Sequence, residues 1–106
     1  KAIGLKSHAF AIAAYRDLEE IHDFIAADSP TYAHDMIVEI MTAVRRLAES
    51  PYIGRERSDL ASRPVRVWNV PPYVIVYRVT KGRSLRVARV LHGARDLKAV
   101  LRASGR

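Results

Sequence analysis

The main change of hydrophobic period in this chain falls at Pro51, and that switch points to an α+β fold. From Ala14 to about Glu49 apolar residues recur every three or four positions; beyond Pro51 they tend to alternate. The first half therefore reads as helix and the second as strand. Tyr15, Leu18, Ile21, Phe24 and Ile25 make one helical stripe, with Asp17, Glu19, Glu20 and Asp23 largely off it. Asp17 falls in the first turn, where a negative charge suits the helix dipole. Asp28-Ser29-Pro30 ends this helix near Ala27 and starts another, because Ser29 is a cap residue and Pro30 fits a first turn. The second stripe is Ala33, Met36, Ile37, Ile40, Met41, Val44, Leu47 and Ala48, and Pro51 closes it. A short link between two amphipathic helices makes an antiparallel hairpin. Ahead of it, residues 8–13 are apolar enough for a short strand.

Residues 52–62 are polar and read as a loop. Residues 64–70 read as a strand, Val70-Pro71-Pro72 as a turn, and residues 73–80 as a second strand, rich in β-branched and aromatic side chains. Lys81-Gly82 is a tight turn into a third strand over 84–91. Gly93 breaks it, and residues 96–102 read as a short final helix capped by Asp96. The expected architecture is β-α-α-β-β-β in one domain, 1–106. The helical hairpin packs on one face of a small antiparallel sheet. Strict alternation puts Leu85, Val87, Arg89 and Leu91 on one face of the last strand, and Ser84, Arg86, Ala88 and Val90 on the other. Tyr73 and Tyr77 suit a β core.

Charge is the second constraint. Of the chain's 106 residues, 18 are Lys or Arg and 11 are Asp or Glu, a net +7. Residues 51–106 hold 13 of the basic residues and only 3 acids. A basic half on one small domain attracts a polyanion or an acidic protein segment. Arginine beside tryptophan suits an interface, since its planar fork binds carboxylate or phosphate. The candidate contact residues are Arg66, Trp68, Arg78, Arg86, Arg89, His92 and Arg95. The chain has no cysteine, which excludes disulfides, thiolate metal sites and cysteine nucleophiles. No metal or other cofactor is expected. No apolar run reaches the ~18 residues of a membrane span. No signal peptide or recognisable nucleic-acid motif is read, so a cytoplasmic protein without sequence-specific nucleic-acid binding is expected.

Several segments stand in a familiar order. They are Ala14-Tyr15-Arg16-Asp17-Leu18-Glu19-Glu20-Ile21; Ser29-Pro30 followed by Ala33; and Leu47, Ser50-Pro51 and Gly54-Arg55. They continue with Tyr73-Val74-Ile75-Val76-Tyr77-Arg78 and Arg89-Val90-Leu91-His92-Gly93-Ala94-Arg95-Asp96. Over residues 10–97 this set resembles a ParE-type toxin of the RelE/ParE superfamily, the toxin half of bacterial toxin–antitoxin systems. The resemblance implies the same helical hairpin on a small sheet. It also implies a cognate antitoxin whose C-terminal segment wraps the toxin, giving a hetero-oligomer, and a role in growth inhibition and plasmid stabilisation. Ile12, Phe24 and Val38 on the hairpin, and an open sheet edge, are candidate antitoxin surfaces.

Two activities go with the superfamily. The ParE branch inhibits DNA gyrase by binding, with no catalytic residue of its own. The RelE branch cuts mRNA in the ribosome. Its kit has an arginine just after the tyrosine that opens the middle strand, and a tyrosine near the C-terminus. Here the first place is Val74, and no tyrosine follows Tyr77. Arg95 matches a RelE-type arginine, and His92 offers an imidazole that can act as acid or base. The resemblance therefore implies gyrase inhibition; the alternative is a ribonuclease using His92 and Arg95. Charge reversal at Arg89 or Arg95 is expected to weaken toxicity without unfolding the domain.

Overall fold

The computed structural model describes residues 8–103. Strand β1 (His8–Phe10) leads into α1 (Ile12–Ala26) and α2 (Pro30–Glu49). Strands β2 (Arg55–Glu56), β3 (Arg66–Val70), β4 (Tyr73–Val79) and β5 (Leu85–His92) follow, then α3 (Leu97–Ala103). They form one sheet in the order β1-β5-β4-β3-β2. The α+β reading holds, with two additions. The two-residue β2 lies within the stretch read as loop; both its side chains are exposed, so no alternation marks it. β1 joins β5 in parallel, with His8 opposite Leu85 and Phe10 opposite Val87. The other pairings are antiparallel.

Ser29 caps α2 as its sequence implies, accepting the Tyr32 N–H at 3.1 Å. Pro30 opens the helix, and Ala33, Met36, Ile40, Val44, Leu47 and Ala48 are buried along it. Helix α1 departs from its reading. It starts at Ile12, and its buried residues are Ala14, Asp17 and Ile21, while Leu18 and Ile25 pack half-buried on the core as the stripe implies. Tyr15 and Phe24 are 58% and 78% exposed, so they are not core. The true stripe runs 14, 17, 21 and contains a carboxylate, which a purely apolar count passes over.

The main core lies between the helical hairpin and one sheet face. There Met36, Ile40, Val44 and Leu47 meet Val70, Tyr73, Ile75, Tyr77, Leu85, Val87 and Val90. A second core covers the other face, with Leu60, Val65, Val67, Val74 and Val76 under Leu97 and Leu101 of α3. Strand β4 is buried on both faces from Tyr73 to Tyr77, which explains its unbroken apolar run. Opposite its middle, β5 bulges: Val76 pairs with Arg89 and Tyr77 with Val87, leaving Ala88 over. The extra residue shifts the alternation, so Val90 rather than Arg89 rejoins Leu85 and Val87 in the helix-side core. The face assignment made from strict alternation fails at this bulge.

Tyr77 ties the turn after α2 to the sheet. Its hydroxyl donates to the Pro51 carbonyl at 2.7 Å and accepts the Gly54 N–H at 3.0 Å. A Cβ at Gly54 would collide with the Tyr77 ring and hydroxyl, so this position requires glycine. Among the described residues no helix is long and apolar enough to cross a membrane.

Candidate functional site

Strand β1 is three residues long, so the outer edge of β5 loses its strand partner beyond Val87, whose carbonyl accepts the Ala11 N–H. Helix α1 crosses this gap. The Asp17 carboxylate takes the place of a neighbouring strand by accepting the Val90 N–H at 2.9 Å. The same carboxylate holds Arg89 in a two-pronged pair, Nε at 2.7 Å and Nη2 at 2.9 Å. Asp17 is only 6% exposed. Its hydrogen bond raises the Arg89 pKa above its ordinary value, against the opposing effect of burial. The reading of Asp17 as a surface residue serving the helix dipole is therefore corrected. It is the buried joint between α1 and β5.

Beside this joint lies a groove of about 210 Å³ between α1 and the end of β5. Tyr73 lies at its base, Glu20 and Phe24 line the helix side, and His92 and Arg95 stand on the strand side. The His92 ring meets Tyr73 edge-on, with centroids 5.6 Å apart. Its Nδ1 accepts the Ala94 N–H at 3.1 Å, which leaves Nε2 for a partner. Gly93 donates to the Pro72 carbonyl at 2.8 Å and holds this corner against the β3–β4 turn. Burial raises the Tyr73 pKa, with a smaller contribution from Tyr32, so its phenol stays protonated at neutral pH. The groove thus offers an exposed aromatic ring, an imidazole and a guanidinium, with the Glu20 carboxylate on its helix side. That set suits recognition of an apolar and acidic partner segment.

The residues singled out from the sequence do not gather at one place. His92 and Arg95 share the groove, and Arg89 is joined to its wall through Asp17. Arg66 lies toward the β2 edge of the sheet, donating to the carbonyls of Gly54 at 2.6 Å and Tyr52 at 3.2 Å. Its guanidinium lies 5.1 Å from the Tyr52 ring centroid. Trp68 packs half-buried on the helix-side core, with Arg46 at 5.8 Å over its ring. Arg78 and Arg86 face each other across β4 and β5. Sequence reasoning missed Glu20 and Tyr73 as groove residues and misplaced Asp17. The 14-17-21 spacing was the signal for Asp17. Val74, at the place where a RelE-type kit has its arginine, is buried in the second core and lines no part of the groove.

Comparison with known proteins places these features in a family. The family model "ParE toxin of type II toxin-antitoxin system, parDE" matches residues 9–97. Toxin RelE2 of Caulobacter vibrioides is 41% identical over 83 residues, covering 77% of this chain and 89% of the relative. Toxin ParE3 of the same organism is 32% identical over 87 residues, covering 80% and 84%. Among solved structures, a chain of the chromosomal ParDE system of P. aeruginosa superposes with a TM-score of 0.66 at 22% identity, covering 84% of this chain and 97% of that one. A chain of the RelBE2 toxin–antitoxin complex of Mycobacterium tuberculosis gives 0.55 at 23% identity, covering 83% and 98%. At these identities the two structures speak for the fold.

Proposed function

The chain belongs to the ParE toxin family of type II toxin–antitoxin systems, and on that premise we propose that it arrests growth by binding DNA gyrase, with no chemistry of its own. The observation that supports this reading is Val74, which stands buried in the second core at the place where a RelE-type kit has its arginine. General acid–base cleavage of RNA needs a base for the 2′-hydroxyl, a cation for the phosphate and an acid for the leaving oxygen. The groove brings one imidazole, one exposed guanidinium and one exposed carboxylate, His92, Arg95 and Glu20. The Arg89 guanidinium is engaged by Asp17, and burial keeps the Tyr73 phenol protonated. The strand position after Tyr73 is a valine under α3. Arg95 alone would then have to hold the phosphate, which favours binding over cleavage.

A cognate antitoxin completes the proposal. The solved relatives are, by their names, toxin–antitoxin systems. In this chain Ile12, Phe24 and Val38 are exposed, and the groove beside Phe24 carries the Arg95 guanidinium. An antitoxin segment with apolar and acidic side chains fits that surface and would silence the toxin in a bacterial cytoplasm. The second reading is ribosome-dependent mRNA cleavage, with His92 moving a proton and Arg95 holding a phosphate. One relative's name, Toxin RelE2, favours it. Brief induction of the toxin separates the two. The gyrase reading predicts an SOS response, lost supercoiling and intact mRNA; codon-biased mRNA cleavage with normal supercoiling overturns it.

A further inference from the structure

The sequence holds no acidic residue between Asp59 and Asp96, and eight basic residues stand in that interval. Four fall within nine positions at the end of the β4–β5 hairpin: Arg78, Lys81, Arg83 and Arg86. Arg78 and Arg86 are direct cross-strand partners. Val74 and Val76 belong to the second core, so Arg78 continues their side of the sheet; Leu85 and Val87 belong to the first, which turns Arg86 to that same side. Like charges directly opposite each other destabilise a sheet. Arg78 is moreover half-buried, and burial lowers its pKa, with Arg63 and Arg86 adding to the effect. Among the described residues Arg63, Arg78 and Arg86 make no ion pair with an acid. The turn between the strands keeps two residues at positive φ, Gly82 at 76° and Arg83 at 64°. Arg83 reaches back over the Tyr52 ring, 5.8 Å from its centroid.

No acid stands in this stretch of chain, and the charges of Arg63, Arg78 and Arg86 repel one another, a cost to the fold that an anion offsets. We propose that the β4–β5 hairpin end, with Arg63, Arg78, Lys81 and Arg86, binds the phosphate backbone of duplex DNA without reading its sequence. A run of phosphodiesters supplies several single charges in a row, and arginine forks and lysine tips bind them without base contacts. Duplex is favoured over single strand because unpaired bases need open aromatic faces to stack on. The exposed ring of Tyr52 is already beside the guanidinium groups of both Arg66 and Arg83. An acidic protein segment is less favoured, because docking of that kind is anchored by exposed apolar side chains. The turn itself, Lys81–Arg83, has none.

The inference goes beyond the gyrase reading and does not rest on it, since the test leaves gyrase out. The full-length toxin is titrated against a fluorescent mixed-sequence duplex over a range of salt concentrations, with anisotropy as readout. Lys81→Gln with Arg86→Gln is compared with Arg16→Gln with Arg45→Gln, which removes the same charge from exposed positions on the helices. The hairpin pair is expected to weaken binding at least about tenfold and to flatten the salt slope by nearly two units, at about 0.9 per phosphate contact. The helix pair leaves both nearly unchanged, and circular dichroism confirms that each variant folds. Equal losses in the two pairs, tighter binding to a single strand, displacement of duplex by polyglutamate at matched charge, or no binding by the wild type each overturns the proposal.

Discussion

Cutting the Asp17–Arg89 pair from one side is the sharpest test of how this fold closes its sheet edge. Arg89→Ala leaves a 6%-exposed carboxylate with the Val90 N–H and without its bidentate cation. Breaking a buried pair by removing one partner costs about 3–5 kcal/mol. A small domain has only about 5–15 kcal/mol in hand. Each kcal/mol moves Tm by about 4–8 °C at this size, so Tm should fall by at least about 12 °C. Arg89→Glu should be worse, because it sets two carboxylates together. The sequence-based expectation that charge reversal at Arg89 spares the fold is therefore withdrawn, while for the exposed Arg95 it stands as a prediction. Asp17→Leu combined with Arg89→Leu removes both charges and should recover most of the loss. It should stop short of wild type by about 1–3 kcal/mol, since the Val90 N–H loses its acceptor. The assay is urea or thermal unfolding followed by circular dichroism, with the single variants Asp17→Leu and Arg89→Leu completing a double-mutant cycle. An Arg89→Ala protein within about 0.5 kcal/mol of wild type would refute the assigned role.

Three further outcomes follow from the geometry. Gly54→Ala should displace the Tyr77 ring and its two hydrogen bonds, costing at least about 2 kcal/mol in unfolding experiments, whereas Gly82→Asn, at a turn with open space, should cost far less. The hydrogen bond from Arg57 lowers the Asp59 carboxyl from 3.8 to about 2, so Asp59 stabilises the fold above its ordinary pKa and that contribution is lost as pH falls from about 4 to 2. Melting curves of wild type and Asp59→Asn should therefore differ at neutral pH and converge toward pH 2. Phe24→Ser should weaken antitoxin binding at least about tenfold with Tm unchanged, because the ring is exposed in the groove; calorimetry with the purified antitoxin reads it.

Much of the architecture was legible because local chemistry and global fold agree. Ser29-Pro30 both ends one helix and caps the next, and β4 carries the residues that two cores demand. What stayed hidden were departures from periodicity. The bulge at Ala88 leaves no mark in a run of alternating residues, so the faces of β5 were misassigned past it. Asp17 looked like a solvated acid because a buried carboxylate is rare unless paired, and its partner lies 72 residues away. Tyr15 and Phe24 matched an apolar stripe yet face solvent, since α1 meets the sheet along 14, 17 and 21. The candidate site was half visible. His92 and Arg95 were singled out, but Glu20 and Tyr73 come to them only through the packing of α1 against β5.

The central claim is that this toxin acts by binding and not by cleaving. The most direct measurement incubates the purified toxin with purified gyrase, supercoiled plasmid and ATP, and separately with translating ribosomes on a defined mRNA. The account predicts gyrase-dependent accumulation of cleaved plasmid, retained in His92→Ala, with the mRNA intact. Cleavage of the mRNA that disappears in His92→Ala, with gyrase unaffected, would contradict it.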